Sequence, residues 1–318
     1  MREGNWSAAT RDLRAEFRES LDAGRLRELH RPSGALHGMV AARQILLAIL
    51  AGWVIVAGRD HPYLWLPAAI LLGFAIFSFT VLLHEVVHRA VFADRSSRGY
   101  ALLAWLYAVP SGLSPSQFSR WHLDHHAELG DAGRDPKRHH LTPRIVRRWY
   151  KALYLTPALF PIYFRAAARE AAGYPAELRA RLRRERLAVV ALHLLALTGI
   201  LLVGGPGLLL RLYVVPVFFV FPIAFTINRL GQHYDIEPGD PAAWGTIIRT
   251  NPLWDFLFLW SNYHMEHHYF PGVPFYNLPA LHRELRPVLA RHPMRVRSYG
   301  GLLWDWFVRN RTPHTSWE

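Results

Sequence analysis

Four apolar runs, Met39 to Gly58, Tyr63 to Leu83, Leu187 to Val203 and Leu212 to Ile227, constrain this chain more than any other feature. A bilayer's hydrocarbon core is about 30 Å thick and takes about 20 helical residues, and inside it every backbone N–H and C=O must be bonded within its own segment. Runs of this length predict membrane-spanning α-helices. Only residues 58–62 separate the first two, so these form an antiparallel hairpin. Gly204-Gly205-Pro206-Gly207 ends the third run, and Pro216 and Pro222 are expected to bend the fourth. Gly99 to Leu113 and Ala152 to Phe164 are apolar but short and proline-containing, and read as interfacial or re-entrant helices.

The expected fold is an all-α integral membrane protein forming a single domain over residues 1–318, with four transmembrane helices and a helical cap made by residues 84–186 and 228–318. Residues 1–38 are charged and lack a signal peptide's apolar core; within them Leu13, Phe17 and Leu21 fit a helix lying on the membrane surface or a plain solvated one. Of 37 lysines and arginines, all but Arg59 and Arg211 fall on one side of this topology, which the positive-inside rule makes the cytoplasm. The net charge of +13 therefore reads as topology and lipid contact, with no nucleic-acid partner. The expected setting is a bacterial inner membrane, with both termini and the cap cytoplasmic. Cysteine is absent, which excludes disulfides, iron-sulfur clusters and thiolate-bound haem.

The cap side collects histidines. His84-Glu85-Val86-Val87-His88 follows the second span without a breaker, Trp121 to His126 reads WHLDHH, and Ser261 to Tyr276 reads SNYHMEHHYFPGVPFY. His122, His125 and His126, like His264, His267 and His268, sit at i, i+3 and i+4, one helical face on which each trio is expected to converge. Pro271 and Pro274 stop the helix that presents the last trio. His233, just after the fourth span, is one candidate more. Eight or nine imidazoles exceed what one ion takes and suit two. Open, imidazole-rich coordination favours a redox metal over zinc, while spacing leaves iron, copper and manganese open.

Taken together, HEVVH, WHLDHH and NYHMEHH, in this order and with these spans between them, resemble the three histidine boxes of the membrane fatty acid desaturase family, which is related to carotenoid ketolases and hydroxylases. The resemblance covers roughly Val81 to Pro279 and extends to HHAELGDAGRDP and HHYFPGVPFYNLP. It implies two non-haem iron ions, dioxygen as co-substrate, and desaturation of an acyl chain. The implied ligands are His84, His88, His122, His125, His126, His233, His264, His267 and His268. Glu85, Asp124 and Glu266 would orient ligand imidazoles, and Asn228 would make a water-mediated contact. No cytochrome-like domain is fused to the chain, so a separate ferredoxin or cytochrome would deliver electrons, docking on the arginine-rich face.

The alternatives are a di-iron hydroxylase or ketolase of a carotenoid or other lipid, an intramembrane zinc protease read from His84-Glu85-x-x-His88, and a metal transporter. The protease has no use for two further arrays, and NPLWD, Asn251 to Asp255, is a loose match to its distal acidic motif. A transporter needs polar groups at mid-span, where only His193 stands out, and that residue reads as a hydrogen-bonded helix residue. His139, His140 and His282 read as surface residues, and His30, His37, His61, His292 and His314 carry no spacing signal.

Overall fold

The computed structural model describes residues 5–131, 133–143, 145–234, 240–292 and 294–311, so His314 lies outside the described residues. The chain is mostly helical. Three segments are long and apolar enough to cross a bilayer: Gly34–Ala57, Pro62–Val87 and Ala176–Leu230. The first begins where the Ser33 hydroxyl accepts the Leu36 N–H at 3.3 Å, an ordinary N-cap. The second opens with Pro62 in its first turn, where the missing N–H costs nothing.

The third segment is not one rod. At Gly205 the backbone takes φ 67° and ψ −174°, a conformation open to little but glycine. A straight helix would separate His193 from Tyr213, 20 residues on, by about 30 Å. Instead the Tyr213 hydroxyl bonds His193 Nδ1 at 2.5 Å, so the chain turns back at Gly205 and its two legs pair. His193 Nε2 donates to the Val109 carbonyl at 2.7 Å, which fastens this hairpin to the end of the Gly99–Ala108 helix. That helix has 10 residues, about 15 Å, half of a hydrocarbon core.

Pro62–Val87 is the inner helix, flanked by Gly34–Ala57 and by the returning leg at Leu210–Val220. Gly73 makes the second contact possible, because a Cβ there would lie 2.4 Å from the Val220 side chain. The leg before Gly205 turns apolar residues outward, among them Leu202 at 80% and Val203 at 87% exposure, a surface suited to lipid. Arg43 lies over the Phe256 ring at 5.1 Å.

Over one end of these helices sits a cap built from Pro115–Glu128, His264–Tyr269, Leu278–Leu289 and the amino-terminal helices Asn5–Ala9, Arg11–Glu19 and Ala23–Leu29. The apolar face of the amino-terminal segment meets neither lipid nor water. Phe17 is fully buried, its ring 4.6 Å from Tyr269, and Leu21 is buried with it. A four-residue apolar spacing asks only for an apolar partner, and here the partner is the protein itself. The cap also departs from the all-helical expectation: Thr246–Ile248 pairs in parallel with Arg295–Arg297, Ile247 opposite Val296. These strands are three residues each, too short to leave an alternating pattern in the sequence.

Close approach at Gly73 leads to the first prediction. Gly73→Ala is expected to force Pro62–Val87 off Leu210–Val220 at a cost of about 1–3 kcal/mol, read as a lower melting temperature of the detergent-solubilised chain.

Candidate metal centre

The inner helix carries His84 near its end and is capped by His88. Pro115–Glu128 brings His122, His125 and His126, and its start is tightly held. The Ser114 hydroxyl accepts from Gln117 N–H at 3.2 Å and donates to Glu185 at 2.6 Å, while the same carboxylate takes the Ser116 N–H at 3.0 Å. A carboxylate at a helix N-terminus is favoured by the unpaired N–H groups there. The third source is the six-residue helix His264–Tyr269, and the fourth is His233, beyond Phe221–Leu230.

Nine imidazoles gather into two groups: His84, His88, His122, His126 and His267 in one, His125, His233, His264 and His268 in the other. Within each, the facing ring nitrogens all lie within 4.8 Å of one another. The expectation that each His-x-x-His-His array converges on one point is corrected here. Successive helical residues turn by about 100°, so i+4 lies about 40° to one side of i and i+3 about 60° to the other. The i, i+4 pairs His84/His88, His122/His126 and His264/His268 each stay together, whereas His125 and His267, at i+3, cross to the opposite group. The groups are adjacent, with the His126 and His268 rings stacked at 4.1 Å.

The spacing suits metal ligation. His233, His264 and His268 bring their Nε2 atoms within 3.0–3.1 Å of one another, and His125 Nε2 is 3.2 Å from that of His233. In the other group, His88 and His122 approach at 2.7 Å and His126 and His267 at 3.0 Å. Neutral rings have too few protons to bridge a triangle of lone pairs, but donors about 2.0–2.1 Å from a shared cation stand this close together. The opposite nitrogens fix the tautomers. Nδ1–H of His84 donates to Glu85 at 3.1 Å, that of His125 to Asp135 at 2.9 Å, and that of His233 to the Trp244 carbonyl at 2.8 Å. Each bond leaves the Nε2 lone pair facing inward.

Burial decides the charge state. It pushes His122, His125, His126, His233, His264, His267 and His268 well below the ordinary imidazole range, with neighbouring rings and Lys137 adding smaller downward contributions at several of them. These rings are held in the neutral form a cation requires.

The four residues expected to support the ligands divide. Glu85 does so, one oxygen on His84 and the other accepting the Phe275 N–H at 2.9 Å. Asp124 does not: it points outward to Arg120 at 2.7 Å, because a residue next to His125 on a helix faces about 100° away. Its role falls to Asp135, ten residues on, which also accepts the Lys137 N–H at 3.0 Å. Glu266 is buried, but its partner is His282, not a member of either group. His282 is thereby more than the surface residue expected. Asn228 bonds Ser261 at 2.8 Å and Gln232 at 3.0 Å and touches neither group directly. His140 pairs with Glu170 at 3.0 Å, and His37, which carried no spacing signal, is buried on the Tyr107 hydroxyl at 3.0 Å.

A cavity of about 100 Å³ opens against both groups through His84, His122, His264 and His267. Phe77, Val81, Leu113, Phe118, Phe225 and Leu278 give it a mainly apolar wall. Such a wall fits a hydrocarbon chain better than a peptide.

Apolar helices of spanning length lie beneath two imidazole groups arranged as metal ligands would be, a pattern compatible with a membrane metal site. Residues 60–300 match the family model described as fatty acid desaturase, and the chain belongs to that family. It is 28% identical over 297 residues to the sphingolipid delta(4)-desaturase/C4-monooxygenase DES2 of Homo sapiens, covering 88% of this chain and 83% of that protein. The corresponding Mus musculus protein matches at the same identity and coverage. The sphingolipid delta(4)-desaturase DES1 of Drosophila melanogaster is 26% identical over 273 residues, covering 85% and 80%. The family identifies an oxidoreductase of lipids.

Two predictions follow from the burial of the rings and from Asp135. The folded chain holds its imidazoles' pKa below the unfolded value of about 6.5, so the unfolded state takes up more protons as pH drops beneath that value. Stability is full above pH 6.5 and is lost on acidification, with bound metal released in parallel; unfolding and metal content followed against pH check both. Asp135→Asn is expected to lower metal affinity about 10- to 100-fold while leaving the fold intact, measured by competition with a chelator.

Proposed function

We propose that this chain is an oxygen-dependent lipid desaturase whose nine histidines hold two iron ions. The observation that carries the reading is the division of each histidine array between two adjacent groups, in a chain of the fatty acid desaturase family. His84, His88, His122, His126 and His267 would hold one ion, and His125, His233, His264 and His268 the other. Bound there, the irons would supply the oxidising power, drawn from dioxygen, that takes hydrogen from an unactivated methylene.

The chain's own residues do the rest. Phe77, Val81, Phe118 and Phe225 exclude water and hold the substrate's hydrocarbon against His84, His122, His264 and His267. Glu85 and Asp135 keep their imidazoles aimed and in one tautomer. With both oxygens of Glu85 engaged, it is not poised to activate water as a zinc protease's glutamate is. Electrons would come from a separate ferredoxin or cytochrome carrier meeting the basic cap.

The proposed topology is a single domain over residues 1–318 with four spans, the Ala176–Leu230 segment contributing two legs on either side of Gly205. By the distribution of arginine, both termini and the site face the cytoplasm. The relatives named above are animal proteins and lend no support to a bacterial inner membrane, so the proposal stops at a cytoplasm-facing site.

Hydroxylation is the second reading, favoured by one observation: the DES2 relatives carry both desaturase and monooxygenase in their names. Sphingolipids are for the same reason the first substrates to try. Purified protein is expected to contain close to two irons per chain, and alanine at His84, His125 or His267 to abolish turnover. Expression in a host of known lipid profile, read by mass spectrometry, is expected to give products lighter by two hydrogens. Gain of one oxygen selects the hydroxylase, and one tightly bound zinc with no iron overturns the di-iron reading.

A further inference from the structure

The apolar cavity beside the histidines has one wall of a different kind. Lys137 and Arg229 both line it, and among the described residues neither the Lys137 ammonium nor the Arg229 guanidinium has a hydrogen bond or an ion pair. The Arg229 guanidinium lies over the Phe225 ring, 5.8 Å away. Glu85 is engaged on both oxygens, by His84 and the Phe275 N–H, whereas Asp135 uses Oδ1 for His125 and the Lys137 N–H and keeps a buried Oδ2 that forms no ion pair with either cation. Asp135 is felt at Lys137, yet burial outweighs it and, with Arg229, holds the ammonium below the ordinary lysine range. Two cations lining a low-dielectric cavity in the field of one carboxylate, Asp135, leave a positive charge in excess, which is unfavourable unless a ligand completes it.

We propose that Lys137 and Arg229 form a subsite for an anionic group at the polar end of the substrate, a carboxylate or a phosphate, deep in the same cavity as the histidines. The inference rests on the lipid-oxidising reading above and adds to it the chemistry of the substrate's polar end. Gln232 and Asn228 continue the polar wall, Gln232 donating to Asn228 and Asn228 to Ser261, so these side chains are largely satisfied. Lys137 is also close enough to depress His122 and His125 in different groups, and His264 and His267 likewise. An anion held there keeps the polar end of the lipid near both metal groups. The carbon that reacts then belongs to the head-proximal part of the chain, and the apolar wall receives the carbons beyond it.

The test is binding to the purified full chain in a neutral detergent, with palmitate, hexadecyl phosphate and hexadecanol as probes of equal chain length and metal content measured alongside. The wild-type chain is expected to bind at least one of the two anions about tenfold or more tightly than hexadecanol. Preference for palmitate identifies a carboxylate, and preference for hexadecyl phosphate a phosphate. Lys137→Met and Arg229→Met are each expected to lose most of that preference while binding hexadecanol as before, which shows that the cavity has kept its shape. Lys137→Arg is expected to restore it. Equal binding of all three probes by the wild-type chain, or an unchanged preference in both methionine variants, overturns the subsite. Iron content reports on the di-iron reading independently, so the two can fail separately.

Discussion

A convergence of neutral imidazole lone pairs in a buried space is the constraint on which the rest of this molecule depends. A single ring placed this way costs little, but nine rings with Nε2 atoms about 3 Å apart repel unless a cation draws them together. The surroundings hold the arrangement from behind: carboxylates and a carbonyl take the Nδ1 protons of His84, His125 and His233, and burial keeps water from protonating the cluster. Even the helix starts are subordinate to it, as when Glu185 reaches from the Ala176–Leu209 segment to secure the first turn of the helix bearing three of the nine.

Helical periodicity does the sorting. A 3.6-residue turn cannot aim i, i+3 and i+4 at one point, and the fold exploits that mismatch: two separate donor sets are interleaved on shared helices, so that neither can move without the other. The inner span Pro62–Val87 anchors one set and, through Gly73, lets the returning leg lie close enough to carry His233 into the second. Positions of the histidines are thus tied to how tightly the membrane helices pack.

Eight of the grouped histidines were legible from spacing, because ligand spacing on a helix is a local property, while His233 stands alone in the sequence and was reached through the family resemblance. Their supports were less so. Asp124 stands next to His125 in the chain and faces Arg120, while Asp135, separated by a helix end and a turn, is the true partner. Glu266 had the right neighbourhood and the wrong companion, since only the tertiary fold brings the Leu278–Leu289 helix and its His282 alongside. Apolar length announced the helices long enough to cross a bilayer, of which the structure has three where four were expected. The destination of the amphipathic amino-terminal segment was hidden because hydrophobic periodicity records that a face is buried and not what buries it. Lys137 and Arg229 lay unremarked among many basic residues, and what sets them apart, a place in the cavity with no side-chain hydrogen bond or ion pair among the described residues, exists only in three dimensions.

The amino-terminal helices are fastened by residues from the far end of the chain. Ser33 N–H donates to the Tyr276 hydroxyl at 2.7 Å, Arg25 meets Glu284 at 3.2 Å, and Glu16 receives Arg291 and His292 at 2.9 Å. Trp6 lies edge-on to His268, 5.6 Å away. During synthesis the first thirty or so residues emerge long before those partners exist. The segment made first must wait beside the membrane until the last helices arrive, and only then can it close over the second histidine group. If the two groups take up cations, as proposed, this order leaves the door open through most of assembly and shuts it at the end.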